Sequence, residues 1–409
     1  MSLWSIALRN VTRNLRRSVL TGCVVVFGFC AFALAGGFMA QSLEGLRDGT
    51  IRSGMGHLQF APPSMFSEGA AGAPDTGIDG AGEIAAILKA DRSVAEILPR
   101  IEFVGLVTDG ERSVPFLGVG LDPEPESRTM DTPKLVAEGD WLRDRTERAV
   151  ILGTGLAAAL SVRVGGTVTL LATSRDGTLN AVDATVAGLA NIPFKELNDR
   201  YLATSLDLAA ELLDAEGQVS KLVVVLTDTA AAPAALPRLL ESLRARGRDD
   251  VAGRSWQELA QFYRQVRTLY LGIFGFMGAI LVAMVLLAAA NTMMMAVAER
   301  TREIGTLRAI GTRPRFIRRL FLAEGLVLAI GGCLAGAVLS LVLRFILNHS
   351  GIMLPPPPGA TQGSMLYVKL YGAAYGAGAL AMIVTLAAAS WLPARRASLM
   401  RIVEALAHV

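Results

Sequence analysis

The sequence predicts a membrane α-helical fold: four transmembrane helices, with a large α/β extracytoplasmic domain inserted between helices 1 and 2. Three observations carry this. Four long apolar runs each supply the roughly 20 residues needed to cross a bilayer. A polar block too long to be a loop separates the first run from the second. Arginines crowd alternate ends of the runs. The averages agree, with 52% hydrophobic and 18% charged residues among 409 and a mean hydropathy of +0.45. A net charge of +3 is too small to point to a nucleic-acid partner.

In chain order, residues 1–17 read as a cytoplasmic amphipathic N-terminal helix and 18–40 as the first span. Residues 41–268 form the extracytoplasmic domain with helical stalks, and 269–298 the second span. A cytoplasmic loop (299–319), the third span (320–347), an extracytoplasmic loop (348–369), the fourth span (370–392) and a cytoplasmic tail (393–409) follow. Orientation comes from the flanking basic residues. Arg9, Arg13, Arg16 and Arg17 precede the first span. Arg300, Arg302, Arg308, Arg313, Arg315, Arg318 and Arg319 fill the second loop, and Arg395, Arg396 and Arg401 lie in the tail. The loop from Asn348 to Lys369 has only Lys369. Both termini are therefore expected in the cytoplasm. The first apolar run is too long for the core of a cleaved signal peptide, and cleavage would leave an odd number of helices.

Within the large domain, Arg148–Gly153, Thr167–Leu171, Val182–Leu189 and Lys221–Thr227 read as strands. Thr154–Leu160 and Pro233–Arg246 read as helices, giving β-α-β units. Ser64–Gly82 is rich in Gly, Ala, Pro and Ser and reads as a flexible loop. Leu259, Phe262, Tyr263, Val266 and Leu269 recur at helical spacing before the second span, and Leu43 and Leu46 do so more weakly after the first. Both are expected to be helices forming a stalk without a flexible linker.

Motifs for chemistry are missing from this chain. It has no G-x-x-x-x-G-K-[ST] loop, no H-E-x-x-H and no G-x-S-x-G elbow. His57, His349 and His408 are isolated. Cys23, Cys30 and Cys333 lie in apolar runs, where they read as small packing residues and not as a disulfide or metal framework. No catalytic residue, metal or bound cofactor is expected. Charge within spans is expensive. Glu324 and Arg344 stand close enough to the ends of the third span to reach an interface by snorkelling. Asn291 reads as a helix–helix hydrogen bond. Gly332 with Gly336, and Gly372 with Gly376, form two G-x-x-x-G pairs that favour close packing within or between subunits.

The second loop is the most informative segment. Ile304, Leu307 and Ile310 recur every three residues on one face of a short helix, with Glu299, Arg300, Glu303 and Arg308 crowding the rest. Gly311 suits its stop and Pro314 the first turn of the next helix. By composition the segment reads as a solvated positive-inside loop, and such a helix also fits a docking element for a soluble partner.

Met295–Gly311, followed by Phe321-Leu-Ala-Glu-Gly325, resembles the signature of the FtsX/MacB/Lol-type ABC transporter permeases, the type VII group. Pro393–Ala397 is similar to that family's ending, Ala7–Asn14 to its start, and Gly139–Leu170 to its MacB-like periplasmic domain. The resemblance implies an inner-membrane permease subunit that pairs with a second permease, identical or paralogous. It also implies two copies of an ABC ATPase, which holds ATP and Mg. The ATPase-coupling helix would comprise Glu299, Arg300, Arg302, Glu303, Ile304, Gly305, Leu307, Arg308, Ala309 and Gly311. Closure of the ATPase would move the periplasmic domains by mechanotransmission, for release of lipoproteins or other amphiphilic cargo from membrane lipid, with a periplasmic carrier or adaptor as a further partner. Efflux of peptides or hydrophobic small molecules, and FtsX-like control of a cell-wall hydrolase, are the alternatives. The Pro355–Gly359 run falls outside the signature and reads as a stiff spacer or partner contact.

Overall fold

The computed structural model describes residues 3–13, 15–66, 77–355 and 363–400. The chain opens with helices α1 (Leu3–Arg13) and α2 (Leu15–Thr50), a π-helical turn (Ile51–Met55) and strand β1 (Leu58–Ala61). Next come α3 (Ala81–Lys89), β2 (Val94–Thr108), β3 (Ser113–Leu121), α4 (Pro123–Thr129), β4 (Val136–Gly139), β5 (Ala149–Gly153) and α5 (Thr154–Leu160). They are followed by β6 (Thr167–Thr173), β7 (Leu179–Ala190), α6 (Lys195–Asn198), β8 (Tyr201–Ser205), α7 (Leu206–Leu213), β9 (Lys221–Leu226), α8 (Ala232–Arg244) and β10 (Ala252–Ser255). The rest is α9 (Trp256–Leu259), α10 (Gln261–Glu299), α11 (Thr301–Ala309), α12 (Pro314–His349), the short strands β11 (Met353–Leu354) and β12 (Ser364–Met365), and α13 (Gly372–Leu399).

The chain divides into a helical unit, 1–44 with 265–353 and 365–409, and an α/β unit, 45–264 with 354–364. Four helices of the described residues are long and apolar enough to cross a membrane. At about 1.5 Å per residue, α2 and α10 are about 54 and 58 Å long, well beyond the roughly 30 Å of a hydrocarbon core. In the helical unit Val25, Phe29 and Ala33 of α2 pack with Val285 and Ala289 of α10, Ala329 and Cys333 of α12, and Met382 and Leu386 of α13. The two glycine pairs differ here. A Cβ on Gly332 would lie 2.6 Å from Val25 Cγ1, and one on Gly336 2.8 Å from the Val26 carbonyl, so the first pair lets α12 close on α2. Nothing in the described chain lies within 4 Å of such an atom on Gly372 or Gly376.

The α/β unit is built on a ten-stranded sheet in the order β10-β1-β9-β2-β3-β8-β5-β7-β4, with β6 paired to β2 and β7. Among the described residues of this sheet, only β3 with β8 and β5 with β7 are parallel. Because β9 and β10 both run antiparallel to β1, β9-α8-β10 is a split β-α-β unit with β1 between its strands. Two cores result. Helices α5 and α7 bury Leu156, Leu160, Leu208 and Leu212 against β2, β3 and β5 to β8. Helices α3 and α8 bury Ile84, Leu88, Leu239 and Leu243 against β1, β2 and β9. A third cluster joins the π turn to α9, where Ile51 packs with Trp256 and Ala260. A Ser255–Glu258 capping box starts α9.

The loop expected over Ser64–Gly82 is in part ordered, since Pro63–Phe66 forms a 3-10 turn and α3 begins at Ala81. Residues 67–76 lie outside the described residues. So does the proline run apart from Pro355, together with His408 and the tail from residue 401.

Candidate functional site

The loop between α10 and α12 is the candidate site, and its helix is shorter than expected. Glu299 is the last residue of α10, and Arg300 (φ −104°, ψ 15°) breaks the helix before α11 begins at Thr301. The Thr301 hydroxyl donates back to the carbonyls of Val297 (3.1 Å) and Ala298 (2.9 Å), satisfying acceptors that the break would leave open. At its far end α11 stops on Gly311, whose φ of +94° suits glycine. The N–H of Thr312 reaches the Leu307 carbonyl at 3.0 Å, closing the turn. Pro314 then opens α12.

One apolar side chain roots α11. Ile304 is buried among Ala296, Val297, Ile317, Phe321, Ala394 and Ala397, that is, against α10, α12 and α13. Gly305 beside it is buried too. The expected apolar face of Ile304, Leu307 and Ile310 is not continuous: Leu307 is half-buried, and Ile310 is 75% exposed. The reason is geometric. At 3.6 residues per turn, a spacing of six places Ile310 about 120° around the axis from Ile304. Ile310 also follows the last helical residue. The outward surface is therefore Arg302, Glu303, Thr306, Ala309 and Ile310, all exposed.

The polar residues divide in a way that spacing does not show. Arg300 and Arg308 were expected on the solvent side. Instead Arg300 is buried, its Nη1 2.9 Å from Glu324 Oε1, and half-buried Arg308 donates to the Met400 carbonyl. Glu324, expected to reach an interface, is buried within the helical unit, where Asn10 of α1 also donates to it at 2.6 Å. Its stem is short and α1 lies across that side of α12, so it is paired and not snorkelled. Asn291 does not make the expected helix–helix bond. It lies exposed, opposite the buried stripe of Val285, Ala289 and Met293. The bond falls to its neighbour Thr292, whose hydroxyl accepts from Thr21 of α2 at 2.8 Å. Outside this centre, Glu303 pairs with Arg13 at 2.8 Å on the exposed side.

Among the described residues no group of three or more His, Cys, Asp or Glu could hold a metal. The site is a short helix whose root is shared by three long helices and whose outer face mixes charge with one exposed isoleucine.

Comparison with known proteins places both halves of the chain. The MacB-like periplasmic core domain matches residues 18–241, and the FtsX-like permease C-terminal region matches residues 273–401. A lipoprotein-releasing system transmembrane protein LolE of Haemophilus influenzae is 24% identical over 268 residues, 64% of this chain and 63% of the relative. A LolC of Neisseria meningitidis is 28% identical over 199 residues, 47% of each chain. The chain thus spans less than two thirds of the length of these relatives. The crystal structure of the periplasmic region of MacB from Actinobacillus actinomycetemcomitans covers 52% of this chain and 95% of its own, with 15% identity and a TM-score of 0.36. The match over residues 18–241 takes in more than half of the sequence, and the chain belongs to the MacB-like periplasmic core domain family, joined to an FtsX-like permease region, as an ABC transporter permease of the FtsX/MacB/Lol type.

Proposed function

We propose that the chain is the permease subunit of a mechanotransmission transporter, working with a second permease and two copies of a partner ATPase that holds ATP and Mg. The observation that supports this reading best is α11: a helix with a buried root at Ile304 and an exposed outer face. Both termini and α11 lie in the cytoplasm, in keeping with the arginine placement, and α11 is the ATPase-coupling helix. ATP-driven displacement of α11 is carried by α10 and α2, which run on beyond a membrane's width, to the periplasmic domain. The cargo is a lipoprotein or similar amphiphile, by analogy with the names of the LolE and LolC relatives.

The test uses the outer face of α11 and leaves its root alone. The full chain is co-expressed with a candidate ABC ATPase and purified by a tag on the permease. Combining Arg302→Glu with Ile310→Asp is expected to lower ATPase recovery at least tenfold while leaving the permease's melting temperature unchanged. Equal recovery with the variant would sink the docking assignment.

A further inference from the structure

Helix α1 lays Leu3, Ile6 and Ala7 on α12, where Ala7 meets Leu320 and Ala323. Asn10 continues that face one turn later. Its Nδ2 donates to Glu324 Oε1 at 2.6 Å, and the same oxygen accepts from Arg300 Nη1 at 2.9 Å. Arg300 Nη2 donates to the Asn10 carbonyl at 3.3 Å. Three elements close on one another through this ring: α1, the break between α10 and α11, and α12, the first of them 290 residues from Arg300 in sequence.

The ring is costly for what it holds together. Arg300 is 8% and Glu324 4% exposed, and apolar residues of similar volume commonly stabilise a fold as well as a buried ion pair does. Its placement points to another role. Arg300 is the non-helical residue between α10 and α11, so the group that anchors its side chain also sets the angle at which α11 leaves α10. The fork is not saturated, because Arg300 Nε is buried without a hydrogen-bond partner. Such a centre can exchange one arrangement for another, which a close-packed apolar joint does less readily. The Arg13–Glu303 pair ties α1 to α11 a second time.

We propose that Asn10, Arg300 and Glu324 are positioning residues for coupling, and that they make α1 a strut. With the ring intact, a push on α11 turns α10; with it broken, the push bends the chain at Arg300. The inference rests on the docking of an ATPase at α11 proposed above.

The experiment follows amide hydrogen exchange over residues 252–270 of the full chain. The chain is complexed with its co-expressed ATPase in nanodiscs of phosphatidylethanolamine and phosphatidylglycerol, nucleotide-free and trapped with ADP and vanadate. In the unaltered complex trapping is expected to change protection over these residues. Glu324→Gln removes the charge that holds Arg300. Asn10→Ala removes one hydrogen bond and leaves the ion pair, so it remains informative if the first variant folds poorly. Each is expected to keep the ATPase bound and hydrolysing within about twofold of the parent rate, yet to shrink the nucleotide-driven change at least fivefold. A full-sized change in both variants overturns the proposal. Loss of the ATPase from both also overturns it, since the ring would then shape the surface of α11 and not its angle. If Arg302→Glu with Ile310→Asp leaves the ATPase bound, the docking reading fails first and the strut with it. If that variant loses the ATPase while the ring variants transmit normally, only the strut fails.

Discussion

Two buried arginine–glutamate pairs, one in each unit of the chain, invite comparison. In the periplasmic domain Arg100 of β2 meets Glu126 of α4 at 2.6 Å, with side chains 9% and 1% exposed. In the helical unit Arg300 meets Glu324 at 2.9 Å, with side chains 10% and 5% exposed. Each arginine has a buried Nε without a partner; Arg300 is itself a break in a helix, and Arg100 packs on one. Arg100 lies against Gly54, in the π turn after α2, where φ is +116° and a Cβ would come 2.7 Å from Nη1. The difference is in the third member. Glu126 takes its other bond from Thr132, six residues on, at 3.1 Å. Glu324 takes its own from Asn10, 314 residues away in sequence. The first joint is assembled by neighbours, whereas the second needs the N-terminal helix to be in place. Both cases associate a buried ion pair with a bend in the backbone more than with stability.

The largest expected effect tests that association. Glu126→Ala leaves the Arg100 charge buried and unpaired, which is expected to cost about 3–5 kcal/mol. Replacing both partners, Arg100→Met with Glu126→Leu, is expected to be near neutral or stabilising. The parallel double change, Arg300→Met with Glu324→Leu, should also keep the fold. Thermal unfolding of the detergent-solubilised chain distinguishes the variants. Double variants as unstable as Glu126→Ala would show that the pairs carry stability after all, and would break the comparison.

A smaller effect is expected at the bend itself. Gly54→Ala places a side chain at positive φ, a strain of about 1–3 kcal/mol, and drives its Cβ against the Arg100 guanidinium. Hydrogen exchange should show faster opening over residues 51–57 and 94–100, with residues 296–304 unchanged. A loss confined to residues 51–57 would mean that Arg100 moves aside and does not brace the bend.

How much of this was legible in the sequence depended on distance along the chain. The four spans, and the strands at β5, β6, β7 and β9, follow from local periodicity. The strand β2 has no place in the sequence reading, and its Pro99 masks it, since proline within an apolar run argues against a central strand. In the structure β2 pairs with β9 as far as Arg100, and pairing with β3 starts only at Arg100. Pro99 therefore stands where β2 has a neighbour on one side. At the candidate site the helix and its glycine stop were visible, because they are local. The split between Arg300 inside and Arg302 outside was not. It depends on α1 folding back to α12, and no spacing rule reports a contact of that span. The glycine pairs give the same lesson: Gly332-x-x-x-Gly336 and Gly372-x-x-x-Gly376 read alike, yet among the described residues only the first has a helix against it.

The smallest expected effect is a dependence on pH that should touch only one of the two joints. His57 follows the π turn, and the N–H of Leu226 donates to its Nδ1 at 3.1 Å. With Nδ1 accepting, the ring proton sits on Nε2 and is donated to Thr229 Oγ1 at 2.9 Å. Burial pushes the His57 pKa below its ordinary 6.5, and the charge of Arg47 adds to that fall. A second proton on Nδ1 would oppose the Leu226 N–H. Because the folded pKa is the lower one, the unfolded chain takes up this proton first as pH drops below 6.5. The contribution of neutral His57 is therefore full above that value and is lost as pH falls through the depressed folded pKa. Exchange at Ile51 to Trp256 contacts, corrected for intrinsic rates, should quicken as pH falls below about 6.5, and His57→Asn should flatten that slope by keeping an acceptor for Leu226 without a titrating group. Residues 296–304 should show no such slope. If they lose protection in step with His57, the two joints open together, and the bend after α2 and the bend at Arg300 are one device and not two.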